Sequence, residues 1–161
     1  MGVEAANVYA DTSSQFKDKN FIFNLAKYAE KSAYRYTDTN PNTKKERKLT
    51  SVTICVEKSS VALVRNVELG YNVGRGANTA RNLGNRPANH ATPTYIADQV
   101  KELAKEVKGF KVNVLEEADM EKLGMGSLLS VSRGSVEPAK LVTMEYNGGK
   151  KGVLSCHRCI P

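Results

Sequence analysis

Pro87 limits what this chain can fold into more than any other residue. It sits in Asn85-Arg86-Pro87-Ala88-Asn89, where a helix has to end. A proline offers no amide donor, and its ring keeps the residue before it out of helical geometry. Thr92-Pro93 then restarts a helix, with Thr92 as the N-cap and Pro93 at the first helical position. Ile96, Val100, Leu103 and Val107 follow at i, i+4, i+7 and i+11, a single apolar stripe that predicts a helix over 93–108. Phe110, Val112 and Val114 alternate with Lys111 and Asn113, which predicts a half-buried strand over 110–115. The fold class is therefore α/β, built around this αβ unit.

The flanking segments extend the pattern. Residues 1–18 carry little periodicity and read as a ragged start. Phe21, Leu25, Tyr28, Ser32 and Tyr36 recur at helical spacing from Asn20 to Tyr36, with the tyrosine rings packed and their hydroxyls at the edge. Residues 37–48 are turn and loop by composition, and Val52, Ile54 and Val56 make a strand in which Cys55 is a small strand residue. A long helix runs from Ser59 to about Leu83, with Val64, Val67 and Tyr71 on one side. Gly70, Gly74 and Ala77 form a small-residue stripe on this helix that lets another element approach closely. Glu116 to Leu123 is a short helix whose Glu116, Glu117 and Asp119 suit its N-terminus. Gly124-Met125-Gly126 is a tight turn, Leu128, Leu129 and Val131 are core, and Val142, Met144 and Tyr146 lie on a final strand.

Composition excludes several function classes. No apolar run approaches the roughly 20 residues of a membrane helix, and residues 1–15 lack the basic start and apolar stretch of a secretory signal. Gly2 suggests myristoylation, but Ala6 stands where Ser or Thr is needed. Three cysteines without a dense framework fit a reducing compartment, so the expected location is cytoplasmic. The net charge of +7 raises nucleic acid as a weak partner. Its densest run, Lys44, Lys45, Glu46, Arg47 and Lys48, has no interleaved aromatics and reads as a solvated loop.

The order ARNLGNRPANHATPTYIADQ, then KVNVLEEADMEKLGMGSLLSVSRGS, then EPAKLVTMEYNGG resembles the start of the catalytic domain of the leucyl aminopeptidases, the M17 cytosol metallopeptidases. The resemblance covers roughly residues 20 to 149. It implies a remnant of the N-terminal domain over 1–58, a connecting helix over 59–84, and the N-terminal portion of the catalytic domain over 85–161 with a divergent tail. It also implies a parent enzyme that releases N-terminal amino acids, leucine especially, from peptides. That parent is a hexamer with two divalent metals, Mn or Zn. Some bacterial members bind DNA.

The same resemblance implies that the metal ligands come from a KGVTFD-type strand end and a later NTDAEGR-type motif, which also carries a catalytic arginine. Neither motif is in this sequence. Lys151-Gly152-Val153 echoes the first, but Leu154, Ser155 and Cys156 follow, and a lysine without its aspartates cannot hold a divalent ion. Cys156-His157-Arg158-Cys159 offers a CxxC, for which Cys55 and His90 are the only other candidate partners. A closed zinc site needs four ligands, so the tail reads as a product of truncation, frameshift or alternative splicing. Gly74-Arg75-Gly76 lacks the strand and the third glycine of a dinucleotide loop. No catalytic, cofactor-binding or metal residue is expected in this chain. The expected function is that of an inactive aminopeptidase fragment, with a subunit-interaction or nucleic-acid-binding module as the alternative.

Overall fold

The computed structural model describes residues 3–10, 19–39, 49–148 and 156–160. The chain divides into two compact units, Met1–Arg86 and Pro87–Pro161.

The first unit runs β1 (Ala5–Tyr9), α1 (Lys19–Ser32), β2 (Ser51–Cys55) and α2 (Val61–Asn85). β1 and β2 are parallel, with Val8 opposite Ile54. A parallel pair needs a crossover between its strands, and α1 lies in that connection. β1 corrects the expectation of a featureless start. AANVY alternates exposed and half-buried residues, with Ala6 and Val8 turned inward. Five residues with only one β-branched side chain are too short a signal, and the pairing comes from the partner strand. α1 also ends earlier than its spacing predicted. Ser32 Oγ donates to the Ala29 carbonyl at 3.0 Å, and Tyr34 and Tyr36 lie beyond the last turn.

α2 starts at an N-cap serine, Ser60, whose Oγ accepts from the Leu63 amide at 3.3 Å. It stops at Asn85 because Arg86, ahead of Pro87, is extended (φ −70°, ψ 134°). Its close-packing stripe is Gly70, Gly74 and Asn78, all buried, so the third member is Asn78 and not Ala77. The glycines admit α1. A Cβ at Gly70 would collide with the Phe23 carbonyl oxygen and lie 3.1 Å from Ala26 Cβ. Asn78 tolerates burial because its Nδ2 donates to the Glu30 carbonyl (3.1 Å) and to Glu30 Oε1 (3.2 Å). Val64 and Tyr71, expected on one side of this helix, are about half exposed.

The second unit runs α3 (Pro93–Glu106), β3 (Phe110–Glu116), α4 (Glu117–Lys122), α5 (Gly126–Ser132), β4 (Lys140–Tyr146) and β5 (Cys156–Ile160). Thr92 caps α3, its Oγ1 accepting from the Tyr95 amide at 3.2 Å, with Pro93 in the first turn as expected. The sheet order is β3-β4-β5, antiparallel throughout. Neighbouring residues of β4 are buried on opposite faces, as the two-residue period of a strand requires. Val142 packs with Ala97 and Val100 of α3, and Leu141 with Met120 of α4 and Leu129 of α5. The buried face of α3 is centred on Ala97 and Val100, while Leu103, expected in the stripe, is 45% exposed.

Two glycines make the turns. Gly109 (φ +83°) joins α3 to β3, where its carbonyl accepts from the Asn147 amide at 2.8 Å, and Gly124 (φ +69°) separates α4 from α5. Val131 was expected in the core, but it is 87% exposed. α5 turns Leu129 inward, and a residue two positions on falls on the other side of a helix.

Candidate functional site

The carboxylates at the start of α4, Glu116, Glu117 and Asp119, are committed to structure. The Glu116 amide donates to Asp119 Oδ2 at 3.2 Å across the start of α4. Glu116 Oε2 accepts from Lys140 Nζ at 2.5 Å, tying β3 to β4. Glu117 Oε1 accepts from the Ala139 amide at 2.8 Å, which supplies a partner for a backbone donor in a buried stretch. The N-terminal role expected of these acids is what the geometry shows.

A cleft of about 360 Å³ opens beside them, bordered by Glu117, Glu121, Arg133, Ser132 and Ser135. Its hydroxyls are engaged: Ser132 Oγ donates to the Leu129 carbonyl (3.0 Å), and Ser135 Oγ accepts from the Glu137 amide (3.0 Å). A serine nucleophile needs an adjacent base. His90 does not border this cleft; it is exposed in the turn after Pro87, with its amide donating to the Pro87 carbonyl at 2.9 Å. A second depression, apolar and about 550 Å³, is lined by Pro93, Leu128, Val131 and Ala139.

The other residues weighed from the sequence are not brought together. Cys55 is a half-buried member of β2 opposite Tyr9. The Gly74-Arg75-Gly76 segment lies inside α2, with no phosphate-binding turn. Cys156–Ile160 is a strand whose backbone pairs with β4, His157 opposite Glu145. Lys151 and the 44–48 run lie outside the described residues. Among the described residues no three His, Cys, Asp or Glu side chains converge. A site for two divalent ions needs several such donors in one place. The described residues do not fit one.

A polar cluster along α2 was missed by sequence reasoning. Arg81, Asn82, Asn85 and Arg86 line up with Lys31, Tyr34 and Asp38 through direct hydrogen bonds. The recurrence of Asn and Arg at 78, 81, 82, 85 and 86 was a visible signal, since residues three and four apart share a helix face.

Residues 78–155 match the cytosol aminopeptidase family, catalytic domain. The chain is 43% identical over 127 residues to a probable cytosol aminopeptidase of Nitrosococcus oceani, covering 77% of this chain and 25% of that protein. It is 56% identical over 85 residues to one of Thioalkalivibrio sulfidiphilus, covering 53% and 17%. The chain belongs to the cytosol aminopeptidase family. It spans about a quarter of the length of the Nitrosococcus relative.

Solved structures of this fold agree. The bottromycin maturation enzyme BotP, in complex with Mn, superposes with a TM-score of 0.71 at 28% identity, covering 89% of this chain and 30% of that one. A tomato leucine aminopeptidase mutant gives 0.76 at 21% identity, over 92% and 30%, and supports the α/β fold alone. No described helix is long and apolar enough to cross a membrane.

Proposed function

We propose that these residues supply the scaffold and not the chemistry of a leucyl aminopeptidase, whose activity is metal-dependent release of N-terminal amino acids from peptides. Residues 1–58 correspond to a remnant of the N-terminal domain, 59–84 to the connecting helix and 85–161 to the N-terminal portion of the catalytic domain. The parent enzyme is a cytoplasmic hexamer using two Mn or Zn ions, and the 161-residue chain by itself is inactive. One observation carries this reading: residues 78–155 match the catalytic domain, yet Glu116, Glu117 and Asp119 there hold a helix start and a strand pair together. The test is hydrolysis of leucine p-nitroanilide by the purified chain with added Mn or Zn, alongside elemental analysis after dialysis. Background turnover and no stoichiometric metal are expected; turnover above background that tracks bound metal overturns the reading.

Charge distribution favours a second reading, a polyanion-binding role for the first unit. Residues 1–86 carry fourteen Lys and Arg against eight Asp and Glu, whereas residues 87–161 are nearly balanced at ten against nine. Exposed Tyr28 also lies beneath two cations, Lys27 Nζ at 4.6 Å and Lys31 Nζ at 5.4 Å from its ring centre.

A further inference from the structure

The end of α1 and the irregular segment after it are fastened to the last turns of α2 and to its C-cap residue at three points. The Tyr34 hydroxyl donates to Asn82 Oδ1 (2.8 Å) and accepts from Asn85 Nδ2 (3.0 Å), so one group uses both its donor and its acceptor capacity on successive turns. Arg81 lies over the Tyr34 ring at 5.5 Å and donates to the Lys31 carbonyl at 2.9 Å, one of the terminal carbonyls of α1 that has no partner within its own helix. Arg86 pairs with Asp38 at 2.6 Å, immediately before Pro87.

These contacts sit where helices fray. The end of α2 has no basic residue in its last turn and passes straight into the extended Arg86. It is also where the match to the catalytic-domain family begins, at residue 78. The geometry points to residues 34–38 as a strap that keeps the final turns of α2 closed up to Arg86. A helix end without such a partner opens locally at small cost. Here opening residues 81–86 requires breaking side-chain bonds to an element about 50 positions earlier in sequence.

Hydrogen exchange on the 161-residue chain tests this, read by mass spectrometry on peptides covering 80–86 and 61–72. Tyr34→Phe removes the hydroxyl and keeps the ring under Arg81. It is expected to speed exchange in 80–86 by roughly tenfold, the scale of one or two net hydrogen bonds, and to leave 61–72 unchanged. Asn85→Ala breaks the same contact from the helix side, and combining it with Tyr34→Phe is expected to add little. Unchanged exchange over 80–86 in Tyr34→Phe overturns the strap. So does equal acceleration of 61–72, which would mean that the hydroxyl supports the whole unit and not its last turns.

Discussion

Gly70→Ala and Gly76→Ala are the same chemical change in the same helix, and the structure predicts opposite signs for them. Both replace glycine by the best helix former inside α2, which alone stabilises by about 1 kcal/mol. At Gly76 nothing lies within 4 Å of the added methyl, so the full gain of about 0.5–1 kcal/mol is expected. At Gly70 the methyl meets the Phe23 carbonyl, 3.0 Å from its carbon, and Ala26 Cβ at 3.1 Å. That neighbour is backbone of α1 and cannot rotate away, so the helices must separate. Overpacking of this kind costs about 1–3 kcal/mol, and more where backbone has to shift. Because backbone must shift, the upper part of that range applies, about 2–3 kcal/mol. After the propensity gain of about 1 kcal/mol, Gly70→Ala is expected to destabilise by about 1–2 kcal/mol. For a chain of this size about 1 kcal/mol moves the melting temperature by roughly 2–4 °C. Thermal melts followed by far-ultraviolet circular dichroism should therefore show Gly76→Ala rising and Gly70→Ala falling. Two shifts in the same direction would refute the close α1–α2 approach. Gly74→Ala belongs with Gly70, since its methyl would sit 2.9 Å from the Lys27 carbonyl oxygen.

Three further outcomes can be checked with the same material. Thr92→Ala removes the acceptor for the Tyr95 amide and is expected to cost about 1 kcal/mol in urea unfolding, with Thr92→Ser restoring most of it. Glu117→Ala leaves the amide of Ala139, itself only 8% exposed, without its acceptor, so a loss of about 1–3 kcal/mol is expected, while Glu117→Gln, which keeps an acceptor oxygen, loses less. If the first unit binds polyanions, changing Lys44, Lys45, Arg47 and Lys48 to Ala should flatten the salt dependence of DNA binding. The log–log slope should fall by up to about 0.9 for each phosphate that is no longer neutralised; an unaltered slope removes the 44–48 run from that interface.

The sequence was most informative where one residue type has few conformational options. Pro87 ends α2, Thr92-Pro93 opens α3, and the acids at 116–119 start α4, because each of these depends on local backbone chemistry. The alternation over 110–115 and 142–146 marked β3 and β4 for the same reason. Features set by distant partners were not legible. β1 forms because β2 offers it an edge, and Asn78 is buried because Glu30 accepts its amide. Leu103 and Val131 follow a helical count that says which residues share a face, but not which part of that face the sheet covers. The strap joins residues about 50 apart; the recurrence of Asn and Arg along α2 marks its polar face but not the partner that face meets.

Family membership and reaction make separate demands on a chain. The residues that carry the resemblance do backbone and packing work: Pro87 and Pro93 at a break, Gly124 at positive φ, and Leu141 and Val142 facing two different layers. A catalytic metal centre makes a different demand, that several donors point at one spot and remain free to bind. The carboxylates nearest that description, Glu116, Glu117 and Asp119, already accept from Lys140, from the Ala139 amide and from the Glu116 amide. Releasing any of them to bind an ion would strip a partner from a helix start or from the β3–β4 pair, so binding would come at the expense of fold stability. A chain can therefore match the family across 78–155 through its scaffold alone, and its activity has to be judged from donor geometry and not from the match.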